Sequence, residues 1–552
     1  MTQQTIEAQR GQKPRFAFAS AAADRLAVIV LLTIAVAAAL TFRDYGLGWD
    51  DYTHAQYGDL LLALYGSGFA DRRALGFVNL YMYGGWFDML AALAAKVLPF
   101  GLFETRRLVG AAVGLVGLLA TWRIARRIAG PAGGLIGLTL LATCPLYYGH
   151  MFMNPKDAPF AAAMALLLLG LTRAFDEYPS PAPATVALFG VGLGLTIGSR
   201  IIGGMAVLYA AAALALVGAV EARNAGMRLA ATRLGRFVLI LAPGLAVGYL
   251  VMGLAWPWAV TAPLNPIRSL EYFSVFFEKP WKEMFDGALL SVPDMPRRYV
   301  PTLIALQMPA IFLLLAAGGT ALAFRQAADR GMKLQRRAVL AMLAAAGLVP
   351  IAIAVATRPA MYNGIRHFVF VTPPLAALGG LAGVELIDRI GRHGRKAVAA
   401  CAVLLGAAFA VPAIELVRLH PYQYTYFNHI AGGIAGADEH YMLDYWGLSF
   451  KQAGEALRQT LAERGEAPPP GRKWKIAVCG PHPPAAVALG RDFTTSWDPK
   501  GADFALMLGE FYCAQIDAPV LAEIDREGVV YARAYDIRGR NVATLFTIPP
   551  VQ

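Results

Sequence analysis

The sequence predicts a polytopic α-helical membrane protein of about eleven transmembrane helices with an α/β domain at its C-terminal end. Three observations predict it. Of 552 residues, 57% are hydrophobic and only 16% charged, against about 25% charged in soluble domains. Apolar runs recur from Leu26–Phe42 to Ala397–Val417, and about 20 mainly apolar residues cross about 30 Å of hydrocarbon. Finally, Lys and Arg cluster in every second inter-helix loop: Arg123/Arg126/Arg127, Arg223/Arg228/Arg233/Arg236, Arg325/Arg330/Lys333/Arg336/Arg337 and Arg389/Arg392/Arg395/Lys396. That alternation is the positive-inside pattern of membrane proteins.

A net charge of +12 would suit nucleic acid, but here the alternation accounts for it, and the aromatic interleaving of strand-binding proteins is missing. The pattern also sets a topology. The tail, residues 1–25 with Arg10, Lys13, Arg15 and Arg25, is expected in the cytoplasm. Spans follow near 26–42, 107–122, 129–149, 159–174, 184–199, 201–220, 237–256, 300–323, 338–357, 367–387 and 397–417. The membrane part is then 26–417, with outer loops at 43–107 and 257–299, and an odd number of crossings leaves 418–552 outside. Residues 77–98 are apolar enough to span. A crossing there would reverse every later loop, and the stretch carries Asp88 and Lys96 before Pro99, so an interfacial helix is expected. The first run is read as a span rather than a cleaved signal peptide.

In the outer tail, Ser449 with Gln452 has the spacing of a capping box. A helix is expected to run from there to about Arg464, with Phe450, Ala453, Leu457 and Leu461 on one face. Strands are expected at Lys475–Cys479, Phe504–Leu508, Val529–Tyr535 and Val542–Ile548, the last two joined around Gly539. Tyr422, Tyr424, Tyr426, Tyr441, Tyr445 and Trp446 suit an interfacial belt, and carbohydrate stacking would use the same residue types. Cys144 and Cys401 fall in spans. Cys479 and Cys513 fall in the outer domain, where an oxidising compartment permits a disulfide.

Charges at the outer ends of spans stand against the basic trend. Asp50 and Asp51, in Gly48-Trp49-Asp50-Asp51-Tyr52, are adjacent carboxylates, which raise each other's pKa and suit base chemistry or metal binding; Asp50 could equally cap the next helix. Asp157, in Asn154-Pro155-Lys156-Asp157-Ala158-Pro159, could also be a cap, ahead of Pro159. Arg200 interrupts an apolar stretch at 184–220; it either snorkels or faces a phosphate. Arg366 and His367, with Arg358 nearby, follow the same phosphate-facing logic. His54 lies one turn from Asp50, so a divalent metal is possible but no cofactor is certain.

In order and sidedness these motifs resemble the C-type glycosyltransferase superfamily, in the branch of the protein O-mannosyltransferases and the lipid A aminoarabinose transferase. Over about residues 20–440 the resemblance rests on Trp49-Asp50-Asp51-Tyr52, Phe103-Glu104-Thr105-Arg106-Arg107-Leu108, Arg123-Ile124-Ala125-Arg126-Arg127 and Asn154-Pro155-Lys156-Asp157. It implies Asp50 as catalytic base with Asp51 adjoining, Asp157 as the second outer acid, and Arg200 where relatives often carry Lys. Asp-Asp in place of Asp-Glu leaves open which of the pair is the base. Asp444-Tyr445-Trp446-Gly447 looks like a feature of one bacterial subgroup; together with the topology set by the basic loops, the resemblance implies a bacterial inner membrane with residues 418–552 in the periplasm.

The chemistry follows independently. No G-x-G-x-x-G or Walker pattern suggests nucleotide binding, and sugar nucleotides are cytoplasmic. The expected donor is therefore a polyprenyl-phosphate sugar, transferred to a hydroxyl of a lipid, glycan or protein acceptor. A carboxylate takes the acceptor's proton, and Lys156, Arg200, Arg366 and His367 face the departing phosphate. A single inverting displacement is expected. The rival readings are a transporter, which would place charges near the bilayer midplane, and an envelope-assembly protein without transferase activity.

Overall fold

The structure is a computed structural model that describes residues 20–274 and 281–548; Arg10, Lys13 and Arg15 of the expected cytoplasmic tail lie outside the described residues. Among those described, nine helices are long and apolar enough to cross a membrane. The chain opens with α1 (Ser20–Thr41), then α2 (Asp51–Gly66) and the ten-residue α3 (Trp86–Ala95). The short α3 occupies the segment read as interfacial and cannot span.

The 41-residue α4 (Leu102–Ala142) turns back at Gly130, whose φ of 71° suits a residue without Cβ. Beyond the turn Gly134 lies against Trp122, and Gly137 against Ala125. The element is therefore a hairpin of two expected spans. After α5 (Pro145–Met153) come α6 (Asp157–Asp176), the fifteen-residue apolar α7 (Pro183–Ile197), α8 (Ala206–Ala225) and α9 (Met227–Ala255). A loop with α10 (Asn265–Ser274) and the hairpin β1–β2 (Lys282–Phe285, Ala288–Ser291) leads to α11 (Tyr299–Gln307). The bundle ends with α12 (Ala310–Ala328), α13 (Leu334–Thr357), α14 (Thr372–Gly391) and α15 (Arg395–Arg418). The run expected as one span at 300–323 is broken at Met308-Pro309, because proline cannot continue the hydrogen-bond ladder.

Which helices are central decides where a site can be built. The most apolar stretch of α6 is 83% buried and that ending in α14 is 78% buried, against 17% for α1 and 11% for α15. Small residues let the central helices approach closely; a Cβ at Gly380 would meet the Gly133 carbonyl at 2.3 Å. At one end of the bundle, Arg126 binds Asp24 at 2.8 Å and Arg127 binds Asp176 at 3.0 Å.

The C-terminal part contains α16 (Gly433–Ala437), α17 (Phe450–Glu463), α18 (His482–Leu489) and a five-stranded sheet. Its strands are β3 (Trp474–Cys479), β4 (Phe493–Ser496), β5 (Phe504–Leu508), β6 (Val520–Arg526) and β7 (Val529–Asp536), in spatial order 4-3-5-7-6. β3 is parallel to β4 and β5, and β7 is antiparallel to β5 and β6. Two expectations fail here. Val542–Ile548 is not a strand, contributing only a bridge from Phe546 to Cys513; β7 instead pairs with β6 across a turn at Glu527-Gly528. The capping box does not form either, since Ser449 makes no cap bond. Its hydroxyl donates to the Tyr531 carbonyl at 3.3 Å, and Gln452 accepts from the Tyr422 hydroxyl at 2.5 Å.

Cys479 and Cys513 form a disulfide, with Cα atoms 5.8 Å apart, while Cys144 and Cys401 are free and buried. The tyrosine-rich stretch is neither a belt nor an open platform. Tyr422, Tyr424, Tyr426, Tyr445 and Trp446 are all buried, because the 419–449 segment threads between bundle and sheet.

Candidate active site

Asp50 stands at the N-terminus of α2 but makes no capping bond. Its Oδ2 instead meets Lys156 Nζ at 2.9 Å, and its side chain stays 28% exposed. Asp51, one residue on, is buried. Arg107 Nη2 donates to its Oδ2 at 2.5 Å and the Gly48 amide donates to the same oxygen at 2.8 Å. The two adjacent carboxylates thus have different surroundings: Asp51 is locked, Asp50 is accessible.

The expectation that neighbouring charges raise the pKa of Asp50 is wrong. Burial does push it up, but the cations of Lys156 and Arg366, with His54, outweigh burial and hold it at about 2. The adjoining Asp51 already has its own arginine, so positive charge dominates around Asp50.

Asp157 opens the central helix α6 and is only 2% exposed at its side chain. Arg200 Nη1 lies 2.6 Å from Oδ1, and Arg366 Nη1 lies 2.9 Å from Oδ2. The capping task falls to Asn154, whose Oδ1 accepts from the amides of Lys156 at 3.0 Å and Asp157 at 2.7 Å. Arg200 and Arg366, 166 positions apart by their numbering, thus converge on one carboxylate. Arg366 is 1% exposed and Arg200 13%, so Arg200 is the arginine a ligand can reach. His367 packs edge-on against Tyr362 at 5.1 Å, and the same ring lies 4.8 Å from Arg366 Cζ.

Two of the cations meet the ring of Tyr83. Lys156 Nζ is 5.3 Å and Arg200 Cζ 5.7 Å from its ring centroid, within cation–π range. Tyr83 is held in place because Gly84 touches the end of α7, where a Cβ would meet the Gly198 carbonyl at 1.4 Å. Trp86 Nε1 donates to Ser199 Oγ at 2.6 Å beside it.

Beside the cluster lie charged residues to which the sequence assigns no role. Asp88 accepts from Arg106 Nη2 at 2.6 Å and lies 2.7 Å from His54 Nδ1. His54 therefore turns to Asp88 rather than toward a metal shared with Asp50, and no group of three metal-ligating side chains occurs among the described residues. The loop before Arg366 is tied by Glu283 of β1, which accepts from the Asn363 amide and the Tyr299 hydroxyl, each at 2.7 Å. Burial pushes Glu283 up to about 7. The available signal for Arg106 and Arg107 was their place at the mouth of an apolar run. Glu283 lay in an unremarkable loop and had none.

Three cations, Lys156, Arg200 and Arg366, therefore meet two acids, Asp50 and Asp157. The cluster retains one positive charge in excess.

Against known proteins, residues 86–246 match the family described as dolichyl-phosphate-mannose-protein mannosyltransferase. That stretch holds Asp88, Arg106, Arg107, Lys156, Asp157 and Arg200. The crystal structure of ArnT from Cupriavidus metallidurans in the apo state aligns with a TM-score of 0.50 at 15% identity, over 92% of this chain and 97% of that one. The chain has the fold of that ArnT structure. ArnT bound to undecaprenyl phosphate aligns over 94% and 98% of the two chains, at 16% identity and a TM-score of 0.47. The oligosaccharyltransferase AglB of Archaeoglobus fulgidus, in complex with an inhibitory peptide and a dolichol-phosphate, gives 11% identity, 88% and 69% coverage and 0.48. No curated protein sequence matches the chain. The chain is a multi-pass membrane protein of this fold, and the candidate site residues lie at one end of the bundle.

Proposed function

We propose that the protein transfers a sugar from a polyprenyl-phosphate donor to an acceptor hydroxyl at the periplasmic face of a bacterial inner membrane. One observation carries this reading. Lys156, Arg200 and Arg366 converge with one positive charge in excess over Asp50 and Asp157, which suits a lipid phosphate. The family matched over 86–246, named for a dolichyl-phosphate sugar, supports the donor class. The Cys479–Cys513 disulfide supports an oxidising compartment for the C-terminal domain, and so the outward siting of its neighbour, the cluster.

Asp50 is the base in this scheme. As the acceptor oxygen bonds to the anomeric carbon, Asp50 takes the hydroxyl proton and the carbon–oxygen bond to phosphate breaks, its electrons passing to the phosphate. The leaving group is a weak base, so no general acid is needed. Lys156 serves both partners: drawn to the incoming phosphate, it releases the Asp50 oxygen it holds at 2.9 Å. Asp157 acts as counter-ion to Arg200 and Arg366. Both its oxygens are engaged, as are those of Asp51, so among the described residues of the cluster Asp50 alone is left accessible, and a retaining route would require a further carboxylate as nucleophile. That favours inversion.

The test is transfer itself. Lipids co-purifying with the protein, identified by mass spectrometry, name the donor. That lipid-linked sugar is then supplied to wild type and Asp50→Asn, and product formation and anomeric configuration are read. A folded Asp50→Asn variant with wild-type turnover would overturn the assignment and return the transporter and assembly readings to the front.

A further inference from the structure

The C-terminal domain enters the site through four consecutive residues, Asp444-Tyr445-Trp446-Gly447. Trp446 is almost fully buried. One side of its indole carries Arg366, whose Cζ lies 5.2 Å from the ring. The indole also touches Gly48, two residues before Asp50, where a Cβ would meet Trp446 Cε3 at 2.5 Å. Tyr445 reaches the other member of the central ion pair. Its hydroxyl lies 3.4 Å from His150 Nε2; His150 Nδ1 lies 3.1 Å from Asn154 Nδ2, and that amide donates to Asp157 Oδ2 at 2.9 Å. Adjacent side chains thus hold Arg366 directly and Asp157 through a relay, and those two groups are themselves 2.9 Å apart.

The segment is rigid enough to do this. Asp444 accepts from the amides of Leu448 at 2.9 Å and Ser449 at 3.0 Å, and from the Tyr424 hydroxyl. On its other side Glu510, just past β5, accepts from the Leu443 amide at 3.0 Å. The turn is therefore clamped to the sheet on one flank and to the 419–431 segment on the other.

We infer that residues 444–447 form a positioning element of the site, in which Trp446 seats Arg366 and the Asp50 loop, and Tyr445 orients Asp157. Neither side chain needs to touch the reactants. The inference rests on the proposed function only for its consequence in donor binding; the positioning itself is a property of the ligand-free protein. A cation–π contact desolvated by burial is among the stronger of its kind, and its loss frees a buried guanidinium to adopt other rotamers. A domain that merely packs on the bundle would lose stability with its contacts, yet would show no specific coupling to Arg366.

The experiment is a double-mutant cycle on the full-length protein, with Trp446→Leu, Arg366→Ala and the pair. Two quantities are read: the thermal midpoint without ligand, and binding of undecaprenyl phosphate. The midpoint shifts of the two single variants should not add, because each removes the same contact. Trp446→Leu should weaken undecaprenyl phosphate binding about tenfold, Arg366→Ala at least as much, and the pair no more than Arg366→Ala alone. Trp446→Phe keeps a ring and should bind within about threefold of wild type. Tyr445→Phe, which removes only the hydroxyl toward His150, supplies a milder variant should Trp446→Leu fail to fold; its midpoint shift should not add to that of Asp157→Asn. Additive midpoint shifts, or wild-type binding by Trp446→Leu where Arg366→Ala binds weakly, would overturn the inference. If the midpoints are coupled but Arg366→Ala binds undecaprenyl phosphate normally, the positioning stands and the phosphate reading falls.

Discussion

At the site end of the bundle, Asp50, Asp51, Asp88 and Asp157 each face a cation: Lys156, Arg107, Arg106, and Arg200 with Arg366. In the C-terminal domain, Asp444 and Glu510 are also buried, but they are met by hydrogen-bond donors. The consequences diverge. Burial raises both kinds, yet cations hold Asp50 at about 2 and keep Asp88 below the usual carboxylate range. Asp444 is pushed up to about 6 by burial, and Glu510 to about 8 by burial together with the charge of Asp444. One region holds charge fixed by its counter-ions, and the other holds carboxyls that titrate nearer neutrality. A phosphate-handling site needs the first, because its cations must be present at every working pH. A clamp on a turn tolerates the second.

The largest expected effect separates the two adjacent acids. Asp50→Asn should fold and lose about 10²- to 10⁴-fold in transfer rate, the usual contribution of a general base; near-normal turnover would make Asp50 a structural ion-pair partner only. Asp51→Asn should fail differently. It leaves Arg107 buried without its counter-ion, which costs about 3–5 kcal/mol, so a clear drop in thermal midpoint is expected. A stable, slow Asp51→Asn protein would exchange the two roles.

Next comes Arg200→Ala. A charge-assisted bond to phosphate contributes about 1.5–3 kcal/mol, so donor binding should weaken roughly 10- to 150-fold, read as undecaprenyl phosphate affinity. The midpoint should change little, because Arg366 still neutralises Asp157.

The smallest effect tests the buried carboxyls of the C-terminal domain. A carboxyl whose folded pKa is raised keeps a proton that the unfolded chain has already lost, so stability is greatest at low pH. It declines as pH rises from the unfolded value through the folded one. For Asp444 that window runs from about 4 to about 6; for Glu510 it extends to about 8. Glu510→Gln should therefore flatten the decline between pH 6 and 8, by about 2 kcal/mol at one pKa unit per 1.36 kcal/mol. Asp50 behaves in the opposite sense. Its contribution is present above about pH 4 and lost only as pH falls toward 2. If Glu510→Gln leaves the pH dependence unchanged, the contrast between the regions does not hold.

Much of the molecule was legible from the chain alone. Apolar runs of membrane length reveal helices because the bilayer demands internally satisfied backbone, and a charge at the end of such a run is conspicuous. The candidates Asp50, Lys156, Asp157, Arg200 and Arg366 stand out that way, and the cysteines that pair stand out by their shared place in the outer domain. What the chain could not reveal was partnership. Whether Asp50 or Asp51 is free depends on Arg107, 56 positions on, and whether Arg200 and Arg366 share a ligand depends on how α6, α7 and α14 pack. Trp446 and Tyr445 read as surface aromatics because nothing local says that the bundle covers them. The strand expected at Val529–Tyr535 is β7, but its neighbour β6 is not conspicuous in the sequence, and Val542–Ile548 looks like a strand without being one. Strand pairing is a choice among backbones, made by the whole sheet. Sequence patterns report the solvent each segment prefers; electrostatic pairing and seating between distant residues are decided only when tertiary packing brings them within a few ångströms.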